Sequence, residues 1–143
     1  SGSAVGAAAL PEAARQARFV AALLAAGTLS GPTARFDAVP EMGAFRLLYA
    51  LWGEQDLTTF AADVLGDLPE RDRRGELRRT LLAYLETGGS HVEAAARLNI
   101  HRNTLAYRLK QIASLTDHDP ADASTRLTLH LALLAAALPP AAE

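Results

Sequence analysis

Between Gly88 and His101 the sequence stops one helix, starts a second and turns into a third, and this punctuation constrains the fold more than any other feature. Leu77, Leu81 and Leu85, flanked by Thr80 and Tyr84, lay one apolar stripe along a helix of about residues 76–87, which Gly88-Gly89 breaks. Ser90-His91-Val92-Glu93 follows at once. The spacing is that of a capping box, in which the Ser90 hydroxyl accepts from the amide of residue 93 while the Glu93 carboxylate reaches back to the amide of residue 90. A short helix is therefore predicted from His91 to about Leu98. Its alanines, Ala94, Ala95 and Ala96, leave room for a neighbouring helix to approach closely. Asn99 tolerates the left-handed conformation of a tight turn, Ile100 can plug the corner, and a further helix begins near His101. Two helices joined by so short a turn have the form of a helix-turn-helix.

In that last helix Leu105, Leu109, Ile112 and Leu115 form the buried stripe, and the remaining residues are expected to point outward. The outward set is polar and can donate to phosphates or read base edges. A recognition helix of about residues 102–115 is roughly 20 Å long, enough to lie in a major groove. The candidate DNA-binding residues are His101, Arg102, Asn103, Thr104, Tyr107, Arg108, Lys110 and Gln111, of which His101, Arg102, Asn103, Tyr107 and Arg108 are favoured for base contact, Arg102 and Arg108 above all. Plainer readings stand beside these. Arg97 and Lys110 also read as solvated charges, Tyr107 as a packing residue, and His101 and Asn103 as caps.

The net charge of −2 hides an uneven distribution. Residues 1–75 hold seven basic and nine acidic side chains, residues 76–116 six and three, and residues 117–143 one and four. The positive charge sits in the helix-turn-helix, as expected if that segment alone meets phosphates. The chain has no cysteine, which excludes thiol chemistry and disulfides and fits a cytoplasmic location. The longest apolar run, residues 131–138, is too short to span a membrane, so no membrane partner is expected. Histidines 91, 101, 118 and 130 lack the spacing of common metal sites, there is no phosphate-cradling glycine loop, and the capping box accounts for Ser90 beside His91. No enzyme activity, cofactor or metal is expected.

The remainder also reads as helical, giving an all-α bundle with no sheet. A first helix is predicted from Pro11 to about Gly27 with Leu10, Ala14, Ala17, Ala21 and Leu24 as its stripe, then a loop over residues 28–42. A second helix over about residues 43–52 carries Phe45, Leu48, Leu51 and Trp52 as core, and a third over 57–65 ends at Gly66. The charged stretch Pro69 to Gly75 suggests a division between a helical N-terminal segment, residues 4–70, and a helix-turn-helix domain with a C-terminal packing helix, residues 71–143. Ser1-Gly2-Ser3 reads as a cloning remnant, with native chain expected upstream. The last helix is expected to be capped by Asp119, with Pro120 in its first turn, and stopped by Pro139-Pro140. Its apolar residues fall in two stripes, Leu127, Leu131, Leu134, Leu138 and Leu129, Leu133, Ala136, so it reads either as a central core helix or as one shared with a second subunit.

The runs Tyr84-Leu85-Glu86, Ala94-Ala95-Ala96-Arg97-Leu98, His101-Arg102-Asn103-Thr104-Leu105 and Tyr107-Arg108-Leu109 resemble the C-terminal helix-turn-helix domain of PucR/CdaR-type regulators. The likeness continues through Asp119-Pro120 and Arg126-Leu127 and, more weakly, back to Phe60 and Leu65-Gly66; residues 4–55 match poorly. The helix-turn-helix is also similar to that of the dimeric Fis type. The resemblance implies a transcriptional regulator that binds double-stranded DNA as a homodimer on paired half-sites. It also implies a small-molecule effector sensed by an upstream domain absent from this chain. Asp117 departs from the glycine common in the family after the recognition helix. The rival reading is a helical dimerisation or interaction module that has lost DNA binding.

Overall fold

The computed structural model describes residues 2–27 and 45–140, residues 2–10 as backbone alone. The described residues form an all-α fold without a strand. Its helices are α1 (Gly2–Ala25), α2 (Phe45–Leu51), α3 (Gln55–Leu65), α4 (Leu68–Arg71), α5 (Glu76–Glu86), α6 (His91–Leu98), α7 (Arg102–Thr116) and α8 (Ala123–Ala137). The chain divides into two compact units, residues 1–57 with 134–143 and residues 58–133. The division expected after residue 70 thus falls inside the second unit, because Val64, Leu65 and Leu68 are buried in its core. The loop expected over 28–42 lies outside the described residues.

In the first unit, α1 begins at Gly2 rather than at Pro11, which stands inside the helix. The alanine-rich run before the proline carries the helix through, at the loss of one backbone N–H donor. Its buried face is also not the expected one: Phe19, Val20 and Leu23 are buried, whereas Ala14, Ala21 and Leu24 are exposed. Alanines have little surface to remove from water, so the larger side chains decide which face turns inward. Leu48 and Trp52 are buried as expected, but Leu51 is exposed. The Phe19 ring meets Tyr49 edge-on at 5.2 Å, and the Arg15 guanidinium lies over both Tyr49 and Trp52. Trp52 Nε1 donates to the Pro139 carbonyl at 2.7 Å.

The second unit closes around Leu81, Tyr84, Ala94, Leu105, Ile112 and Leu129. The α4 turn occupies part of the stretch read as a charged linker, anchored by fully buried Leu68. Asp72, also buried, follows it. Its carboxylate accepts from the Leu77 and Arg78 amides at 3.0 and 2.9 Å and from Arg78 Nε at 3.2 Å, so it satisfies the first turn of α5 where Gly75, the residue before the helix, offers no side chain.

At the far end the expected cap moves by three residues. Asp119 closes a separate turn, accepting from the Ala121 amide, and Asp122 caps α8 through the Ser124 amide. Of the two stripes foreseen on α8, Leu129 and Leu133 of one and Leu134 of the other are buried together with Ala132, Leu131 and Leu138 are half-buried, while Leu127 is 69% exposed and Ala136 is exposed. Leu127 lies about 200° around the helix from Leu129, so one neighbouring bundle cannot cover both.

The Ser90 cap is half of the box foreseen. Ser90 Oγ accepts from the Glu93 amide at 3.2 Å, but the Ser90 amide donates to the Thr87 carbonyl and Glu93 is exposed. Ser90→Ala is therefore expected to cost about 0.5–2 kcal/mol, and Glu93→Ala to stay within about 0.5 kcal/mol of wild type. Urea denaturation of the two variants checks the difference; equal losses would restore the reciprocal box.

Candidate nucleic-acid interface

The scaffold for α7 is built by small residues and one left-handed turn. Ala94 and Ala95 are buried, so α6 can lie close to its neighbours. Asn99 then takes φ 55° and ψ 48°, its amide donating to the Ala96 carbonyl and the Ile100 amide to the Ala95 carbonyl. This is the paired hydrogen-bond pattern that ends a helix and redirects the chain. Ile100 is half-buried at the corner, and His101 is extended. Asp117 closes α7 with φ 61°, so it adopts the conformation a glycine would have supplied.

His101 caps α7, its Nδ1 accepting from the Asn103 amide at 3.0 Å, which leaves Nε2 as the outward donor. Arg102, Asn103, Thr104 and Lys110 are exposed, and Tyr107, 64% exposed, does not pack into the bundle. Leu105, Leu109 and Ile112 are buried and Leu115 is half-buried, so the stripe stands. Six candidates thus share one accessible surface, running from the N-terminus of α7 along its outer face. Gln111 is half-buried at its edge.

Arg108 is the exception to the outward set. Its side chain is only 22% exposed: Nη1 donates to the Thr80 hydroxyl at 3.3 Å and Nη2 lies 3.9 Å from the Glu76 carboxylate. Spacing carried the signal, since position 108 is only about 60° around the helix from buried Leu105 and about 40° from buried Ile112. Arg108 ties the middle of α7 to the first turns of α5. Arg97, read as a solvated charge, pairs with Glu86 at 3.3 Å.

The histidines have separate structural settings. His91 meets the Tyr84 ring edge-on at 5.2 Å, His118 bonds the Thr116 carbonyl through its Nδ1, and burial holds His130 below the ordinary histidine range, partly opposed by Glu86. Among the described residues no group of three or more acidic or imidazole side chains could hold a metal, and no helix is long and apolar enough to cross a membrane.

Comparison with known proteins places this geometry. Residues 77–135 match the PucR C-terminal helix-turn-helix domain, a span from the first turn of α5 into α8. The chain is 34% identical over 96 residues to the proline-responsive transcriptional activator PutR of Bacillus subtilis, 66% of this chain and 23% of that protein. It is 39% identical over 87 residues to the carbohydrate diacid regulator of Escherichia coli, 61% of this chain and 22% of that protein. It is 37% identical over 116 residues to the purine catabolism regulatory protein of Bacillus subtilis, 77% and 21%. The chain thus spans between a fifth and a quarter of the length of these relatives, one named a transcriptional activator and the other two regulators. No solved structure matches significantly. With its stripe, capped turn and exposed α7 face inside the matched span, the segment 77–135 belongs to the PucR C-terminal helix-turn-helix family.

Proposed function

We propose that this chain is the sequence-specific DNA-binding output end of a transcriptional regulator, with the N-terminal half of α7 in the major groove. The observation that carries the reading is the exposed polar surface from His101 to Lys110, presented by a helix of 15 residues on a capped and tightly packed scaffold. Such a helix is roughly 22 Å long, enough to lie in a major groove, which admits an α-helix. Within this reading His101, Arg102, Asn103, Thr104, Tyr107 and Lys110 face the duplex, Gln111 sits at the edge, and Arg108 orients the helix before it contacts anything. The function is binding, with no catalytic step and no cofactor. The regulator works in the cytoplasm as a homodimer on paired half-sites, and its small-molecule effector is sensed by another domain, in keeping with the short share of each relative that this chain covers.

Titration of a labelled duplex at increasing salt tests it. Log affinity should fall steeply and linearly with log salt, because each phosphate contact releases counterions. Selection from a random duplex pool should recover two half-sites separated by about 34 Å or a multiple of it. Arg102→Ala should weaken binding to the recovered site by about 1–3 kcal/mol without changing the unfolding midpoint. Failure to bind any duplex at about 50 mM salt, where phosphate contacts are strong, would overturn the reading and leave a helical interaction module.

A further inference from the structure

The arginines ahead of α5 lie outside the surface just described. Arg71, Arg73, Arg74, Arg78 and Arg79 are all exposed, on the end of α4, the α4–α5 connection and the first turn of α5. Of the two carboxylates among them, Asp72 is buried and used by Arg78 and the α5 amides. Among the described residues Arg71, Arg73, Arg74 and Arg79 have no ion-pair partner. The guanidinium groups of Arg79 and Arg78 instead converge over Gly75, 3.2 and 3.7 Å from the point where a Cβ would stand there. Like charges gathered in this way, with Arg78 alone of the five ion-paired among the described residues, favour an anionic partner. Counted from Arg71 rather than from residue 76, the segment ending at 116 holds nine basic and four acidic side chains, while both flanks are net acidic.

Two contacts fix where this corner lies. At its start, the Asp67 amide donates to the Leu115 carbonyl at 3.1 Å, near the end of α7; at its finish, Glu76 and Thr80 hold Arg108 in the middle of α7. The arginine-bearing stretch therefore runs beside the C-terminal half of α7, along roughly 10 Å of helix. Arg102 is roughly 9 Å further along the axis from Arg108. With the N-terminal half of α7 in a groove roughly 12 Å wide, these basic positions beside its C-terminal half lie toward the groove's rim rather than over the base edges. We propose that Arg71, Arg73, Arg74 and Arg79 form a phosphate clamp, gripping the DNA backbone at the edge of the groove that α7 enters. The proposal rests on the DNA-binding reading and adds a second, sequence-independent surface to it.

The test is the salt dependence of the full chain on a mixed-sequence duplex of about 24 base pairs, a little over two helical turns. Arg73→Gln/Arg74→Gln should lower the slope of log affinity against log salt by roughly 2, about 0.9 for each lost contact, and weaken binding equally on a shuffled duplex. Arg73→Lys/Arg74→Lys should keep the wild-type slope, because the slope counts charges; a structural role for the guanidinium would not be rescued. A glutamine variant that binds with the wild-type slope overturns the clamp while leaving α7 as the DNA-binding element. Wild-type chain that binds neither duplex overturns both.

Discussion

Leu105→Ala is expected to destabilise the helix-turn-helix unit by about 2–5 kcal/mol. Leu105 is fully buried and belongs to the cluster that also contains Leu81, Tyr84, Ala94 and Ile112, so truncation leaves a cavity where α7 meets its scaffold. Neighbouring side chains are held by capped helices on several sides and cannot collapse freely into the space. In a unit this small each kcal/mol shifts the unfolding midpoint by about 4–8 °C, so the drop should be roughly 8–40 °C. Duplex affinity measured well below the new midpoint should change much less. Arg102→Ala should show the reverse pattern, with the midpoint kept and affinity lost. A Leu105→Ala midpoint within a few degrees of wild type would mean that α7 is not seated on this core, and the geometry of the exposed face would have to be drawn again.

That contrast between scaffold and reading face was largely legible in the sequence, because both depend on local rules. The stripe Leu105, Leu109, Ile112 obeys helical spacing, Ser90 and Asn99 mark helix ends through their own backbone chemistry, and these elements stand where spacing put them. Reading failed where several choices satisfied the local rule and packing decided between them. Asp119, followed by proline, and Asp122, followed by small residues, are both good caps, and only the buried Pro120 and the turn before α8 assign the role to the second. On α1 a row of alanines looked like a stripe, although Phe19 with Val20 beside it and Leu23 four residues on outweighs them.

The partly concealed Arg108 belongs to the same class. Its type suggested a reader, its angular position a flank of the buried stripe, and the position decided. The Asp72 cap was hidden for a different reason. The carboxylate acts on amides five and six residues ahead, beyond the three-residue reach of the cap pattern sought in the sequence. The sequence showed which face of α7 the apolar stripe leaves exposed. It did not show which of its cations were already engaged by the protein.

The second large effect is expected at Gly66, between α3 and α4. Gly66 has φ +52°, a conformation costing an L-residue about 1–2 kcal/mol. Gly88, after α5, has φ +66° and would incur the same backbone cost. Their surroundings differ. A Cβ at Gly88 meets nothing within 4 Å, whereas one at Gly66 would stand 2.7 Å from the Leu115 carbonyl oxygen, a backbone atom near the end of α7 that also accepts from the Asp67 amide. Relief requires either moving the end of α7 or losing that hydrogen bond, which adds an overpacking cost of about 1–3 kcal/mol. Gly88→Ala should therefore lose about 1–2 kcal/mol in urea denaturation, and Gly66→Ala about 2–5 kcal/mol. The difference between the two reports the steric contact alone. Equal losses would show that the end of α7 yields without resistance, and then the α3–α4 corner could not hold the arginine-bearing connection in register with the recognition helix.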